Sequence, residues 1–179
     1  MNKKIEGLEK SIKQNRDAYR SSKDVILADE SLSEKGKFDQ IDQLYKEALT
    51  RHEDLLGQRQ KAIVEFGESK KKKLFSLNGR STPADQLAFD DAVQRFKGGD
   101  ISGKELQSRL ESGSKITQKA IAKAAFETNK DSLFDQWVTK NPEVYEDAQA
   151  LVDYQYRYGS RQSKASKMND NMFRSFPKL

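Results

Sequence analysis

LSEKGKFDQIDQLYKEALTRHEDLLGQRQKAIVEFGESKKKKLF, from Leu32 to Phe75, is the stretch that decides the fold class. It contains no proline, and Phe38, Ile41, Tyr45, Ala48, His52, Leu55, Arg59, Ala62 and Phe66 succeed one another at alternating steps of three and four. That spacing holds them on one side of an α-helix as a heptad-like seam. Leu44, Leu49, Leu56 and Ile63 flank the seam. The widened stripe suits a helix packed on one or two neighbours better than a strict two-stranded zipper. Ser31 and Glu34 have the spacing of a capping box, which predicts that the helix starts there. At about 1.5 Å per residue the helix would run on the order of 60 Å. It reads as one arm of a coiled-coil hairpin or as a spacer between partners.

Upstream, Ile5, Leu8, Ile12, Tyr19 and Ile26 also keep heptad steps, with Asn15 and Ser22 at intervening positions, and predict a first helix from Lys3 to Ala28. The connection Asp29-Glu30-Ser31 is short, which favours antiparallel neighbours. Gly36, Gly57 and Gly67 each cost about 1 kcal/mol relative to alanine in the second arm. Gly67 is expected to mark a bend or frayed turn. Lys70, Lys71, Lys72 and Lys73 fall in the last turns, where cations complement the helix dipole. They read as a solvated helix end, or as a contact for nucleic acid or an acidic protein surface.

Past Asn78-Gly79 the pattern changes to short capped helices. Thr82-Pro83 opens one that carries Leu87, Phe89, Ala92, Val93 and Phe96, Ser102 and Glu105 form a capping box for the next, and Ser114 caps a third whose Ile116, Ala120, Ile121, Ala124, Ala125 and Phe126 are the most apolar surface in the chain. Asp131 begins a segment with Phe134 and Trp137, and Asn141-Pro142 is expected to start the last helix. The reading is all-α: a helical hairpin over residues 1–78, a small helical domain over 82–158, and a basic, flexible arm over 159–179.

The 179 residues are 35% hydrophobic and 34% charged, with a mean hydropathy of −0.93. So thin a supply of core favours helices that each bury a narrow stripe over a single large globule. There is no cysteine, which removes disulfides, thiolate metal sites and cysteine nucleophiles. Charges interrupt Ile5, Leu8 and Ile12, so no signal peptide is read, and no run approaches the roughly 20 apolar residues of a membrane span. Between Arg157 and Leu179, six cations stand against Asp170 alone, a formal +5 that equals the net charge of the whole chain.

No residue constellation names a chemistry. Gly98 to Lys104 satisfies part of a phosphate-binding loop but has Glu105 where the magnesium-binding hydroxyl belongs, and the preceding segment is helical by period. A calcium loop fails on Lys104 at a ligand position. His52, the single histidine, lies on the seam and reads as a packed residue. No catalytic residue, metal site or cofactor is assigned. Tyr154, Tyr156 and Tyr158 lie beside Arg157 and Arg161 and suit a protein interface, with base stacking as the alternative. The candidate partner-contact residues are Lys70 to Lys73, Tyr156, Arg157, Tyr158, Arg161, Lys164, Lys167, Phe173, Arg174 and Phe176. The candidate self-association residues are Ile41, Leu44, Tyr45, Ala48, Leu55, Leu56, Ile63 and Phe66.

The opening Ile5, Leu8, Ile12, followed by Ile26-Leu27-Ala28-Asp29-Glu30-Ser31-Leu32-Ser33-Glu34-Lys35-Gly36-Lys37, resembles the N-terminal hairpin of small helical head-assembly or minor structural proteins of tailed bacteriophages. The resemblance implies a non-enzymatic, scaffold-like virion or head-assembly protein, found in the virion or in the host cytoplasm during assembly. It implies self-association into a homo-oligomer and binding to a coat, portal or other virion protein. Scaffolds of this kind are often acidic, whereas this chain is basic, which suits a minor protein near packaged DNA. A nucleic-acid-binding accessory protein using the basic arm is the alternative.

Overall fold

The computed structural model describes residues 2–77, 79, 81–99, 101–159, 161–162 and 164–177, with the backbone alone for Lys164 and Ala165. Asn78, Asp100, Lys178 and Leu179, which enter the sequence reading, lie outside the described residues. Every regular element described is helical: α1 (Lys3–Ala28), α2 (Glu34–Phe75), α3 (Pro83–Gly98), α4 (Gly103–Ser112), α5 (Lys115–Glu127), α6 (Asp131–Lys140), α7 (Tyr145–Tyr158) and α8 (Lys164–Arg174). No described helix is long and apolar enough to cross a membrane.

The chain forms two compact units, one of Met1–Glu68 with Asp153–Leu179, the other of Ser69–Val152. In the first, α1 and α2 run antiparallel. Lys4 pairs with Glu65, Arg59 with Glu9, the Asn15 side-chain amide donates to the Ala48 carbonyl at 2.8 Å, and Tyr19 meets Tyr45 edge-on. Position numbers fall along α2 as they rise along α1, which is the signature of a hairpin. Asn15, a polar seam position, is buried and spends its amide on backbone. A buried amide without such a partner would cost about 1–3 kcal/mol.

The hairpin turn differs from the expected capping box. Ser31 donates from its hydroxyl and its amide to the Asp29 carboxylate, which is thereby held below the usual carboxylate range. Ser33 caps α2 instead, its hydroxyl accepting from the Gly36 amide at 3.1 Å. An Asx-type turn consumed Ser31 before the helix could use it. Gly67 also departs from expectation, since α2 continues through it to Phe75 and the glycine is buried against Tyr154.

The expected flexible arm is helical over Lys164–Arg174. Arg16 of α1 donates to the carbonyls of Met172 and Ser175, so the end of α8 lies against the middle of α1. The sequence pattern hid this helix because its apolar residues are only Ala165, Met168, Met172 and Phe173 among polar neighbours.

In the second unit α5 is the central element, its Ala120, Ile121, Ala122, Ala124, Ala125 and Phe126 all buried. The alanines let α3, α4 and α6 approach closely, bringing Phe89, Val93, Phe96, Leu106, Leu110, Phe134 and Trp137 around it. Phe75, at the end of α2, stacks on Trp137 with ring centroids 6.1 Å apart and also meets Phe126. Burying such a ring contributes about 1.5–3 kcal/mol. Thr82 and Asp85 form a reciprocal capping box with Pro83 at the first turn, and Ser102 and Ser114 cap α4 and α5. Asn141-Pro142 opens a single 3-10 turn, Pro142–Val144, before α7 begins at Tyr145.

Candidate interaction site

Arg59 faces the inside of the first unit, where a helix seam ordinarily holds an apolar side chain, and is only 3% exposed. Its Nε and Nη2 donate to one Glu9 carboxylate oxygen at 3.1 and 2.9 Å, and its Nη1 donates to Asp170 of α8 at 2.6 Å. The guanidinium lies over the rings of Tyr158 and Phe173, 5.5 and 4.9 Å from their centroids. Burial by itself would lower the Arg59 pKa, but the hydrogen bonds and charges of Asp170 and Glu9 outweigh it and raise the pKa, so the cation persists. Arg174 donates to the other oxygen of Asp170 from the next turn of α8. Two guanidinium cations thus meet two carboxylates, and the cluster is formally neutral. Burial, then the neighbouring Glu9, raises the pKa of Tyr158, whose hydroxyl stands 3.4 Å from Glu9.

Nearer the hairpin turn, beginning two turns from Arg59 along α2, Phe176 enters an aromatic seat made by Tyr19, Tyr45 and His52, with centroid distances of 5.3, 5.9 and 4.9 Å. The Tyr19 hydroxyl and His52 Nδ1 are buried there without a hydrogen-bond partner. His52 Nε2 lies 3.5 Å from the Arg174 carbonyl. Burial lowers the His52 pKa, and the charge of Arg16 lowers it further.

Together these contacts form a clamp that holds α8 on the hairpin through ion pairs and two phenylalanines. A recess of about 350 Å³ remains beside it, lined in part by Arg59, Tyr158, Ser166, Asn169 and Asp170. Glu9 and the exposed Arg157 also line it, and Arg59 already serves two carboxylates. Among the described residues no group of three or more His, Asp and Glu is arranged to hold a metal ion.

The candidate self-association residues divide by burial. Ile41, Ala48 and Ile63 are buried within the chain, while Leu44, Tyr45, Leu55, Leu56 and Phe66 are half-buried. Of the candidate partner contacts, Lys70 and Lys73 both donate to Asp147 at 2.6 Å and hold its carboxyl below the usual range. Lys71 is half-buried and Lys72 exposed. Tyr156, Arg157, Lys167 and Arg174 are exposed, and Arg161 is half-buried. Tyr158, Phe173 and Phe176 face inward on the clamp, and the side chain of Lys164 lies outside the described residues. The tyrosines at steps of two do not act as one platform. On α7, Tyr154 and Tyr158 share a face and pack together, whereas Tyr156 points elsewhere. Glu9 and Asp170 carried no signal in the sequence, since nothing local ties positions 9, 59 and 170 together.

No protein-family model, curated protein or solved structure matches the chain.

Proposed function

We propose that the protein is a non-enzymatic structural or head-assembly component of a bacteriophage particle, which self-associates and binds a coat or connector protein. The observation that carries this reading is that three large apolar side chains near the hairpin turn are left in solvent. Val25 and Leu27 on α1 and Phe38 on α2 are 69%, 49% and 60% exposed. Val25 and Leu27, two positions apart, face different sides of α1, so the turns next to the connection offer apolar anchors on more than one side, which supports contact with a partner that surrounds this hairpin end. The end of a helical hairpin also suits a partner that must be reached beyond the bundle, as a scaffold-like protein requires.

The reading is tested by co-expression with the coat protein of the same phage, followed by sedimentation of the assembled particles. The native chain should travel with the particles, and a Val25→Asp, Leu27→Asp, Phe38→Asp variant should not, while keeping its helical circular dichroism. A native chain that is monomeric at the highest attainable concentration and absent from the particles would refute the proposal.

A further inference from the structure

Among the described residues, two surfaces outside the clamp present exposed apolar side chains. The first is a ridge on α8: Met168 and Met172 are one turn apart and 72% and 59% exposed, with the exposed Lys167 beside them. Phe173 and Asp170 hold the other side of the helix to the hairpin, so the ridge is presented outward by a fixed element. Methionine is an adaptable anchor, flexible enough to fill an irregular apolar groove.

The second surface is a groove of about 200 Å³ between α6 and α7. Phe134, Val138, Ala148 and Val152 form its apolar lining, and Tyr145 stands at it 59% exposed. Asp135 lines the same groove, and the exposed Glu143 and Glu146 lie on the flanking backbone. Over Asp131 to Asp153 the chain carries six carboxylates against Lys140 alone, a formal −5. Of the six, Asp147 is matched by Lys70 and Lys73, and Asp131 and Asp153 also engage other groups, so Asp135, Glu143 and Glu146 are the carboxylates that border the groove. The segment that carries the methionine ridge has the opposite balance, +5 over Arg157 to Leu179.

We infer that the occupant of this groove is the Met168–Met172 ridge of a second copy of the chain. The methionines fill the apolar lining and Lys167 meets the acidic border. This rests on the self-association reading above and names the surfaces that carry it. Because ridge and groove are different patches, the contact is head-to-tail, and each copy keeps one free half of it. Such contacts build rings or open chains instead of stopping at a symmetric dimer. Opposite charges across the contact make association weaken as salt is raised.

The experiment uses two full-length variants in sedimentation velocity, alone and mixed. Met168→Asp with Met172→Asp removes the ridge and leaves the groove, while Tyr145→Asp with Asp135→Lys removes the groove and leaves the ridge. All four positions are exposed, so circular dichroism should match the native chain. The native chain should form species that grow with concentration, and each variant alone should associate at least about tenfold more weakly. An equimolar mixture should form a one-to-one dimer, since one intact ridge then meets one intact groove. Variants that assemble like the native chain would overturn the inference and leave self-association standing through another surface. Monomeric variants whose mixture forms no dimer would overturn the head-to-tail contact. A native chain that stays monomeric would overturn both this inference and the self-association on which it rests.

Discussion

Arg59 and Asp170, 111 residues apart, share a 2.6 Å hydrogen bond that fixes α8 to the hairpin. Arg59 bridges two carboxylates that are themselves largely covered, with side-chain exposures of 17% for Glu9 and 16% for Asp170. Replacing it with methionine would keep much of the packing volume but strip Glu9 of this cation and leave Asp170 to Arg174. Arg59→Met should therefore cost about 3 kcal/mol in urea denaturation. Adding Glu9→Gln and Asp170→Asn should recover most of that loss, because the uncompensated charges are gone. The exposed pair Lys4–Glu65 is the control, with a coupling of about 0–1 kcal/mol. Equal couplings for the two pairs would show that the clamp is not special.

His52 gives the first unit a dependence on pH. Burial holds its pKa below the unfolded value of about 6.5, with Arg16 of α1 adding to the effect. The Arg174 carbonyl of α8 and Glu53 on its own helix oppose it, and Tyr19, Tyr45 and Phe176 complete its surroundings. As pH falls the unfolded chain takes up this proton first, so the His52 contribution is full above about 6.5 and is lost as pH drops through the folded value. Between pH 7.5 and 5 the melting temperature of the native protein should fall more than that of His52→Phe. Parallel curves would remove His52 from the account.

Gly67 of α2 lies against the ring of Tyr154. A Cβ on Gly67 would stand 2.5 Å from Cζ of Tyr154, well inside contact distance. Gly67→Ala should destabilise by about 1–3 kcal/mol although alanine is the better helix former. In a Tyr154→Ala background the same substitution should become stabilising by up to about 1 kcal/mol. Thermal denaturation of the four proteins reads the sign, and a stabilising Gly67→Ala in the native background contradicts the close approach.

Much of the secondary structure was legible because it rests on local rules. The step-three-and-four pattern marks α1 at Lys3–Ala28 and carries α2 to Phe75, and Thr82-Pro83, Ser102 and Ser114 open the short helices by capping nearby amides. Where two local rules competed, the sequence misled. Ser31 had the spacing of a capping residue, yet Asp29 two positions earlier captured it and Ser33 took the role. The last helix failed for a different reason. Few of its residues are apolar, and the side chains that hold α8 belong to α1 and α2.

By itself, then, the sequence determined an all-helical chain with a long antiparallel hairpin, because amphipathic period and capping act over a few residues. It also showed that His52 and Arg59 occupy apolar seam positions, but not what meets them. Only the tertiary structure decided that Glu9, Asp170, Phe173 and Phe176 converge on those two residues. Ion pairs and ring contacts between distant positions leave no periodic trace in a single chain. They form only once the hairpin has fixed a surface on which a short polar helix can settle.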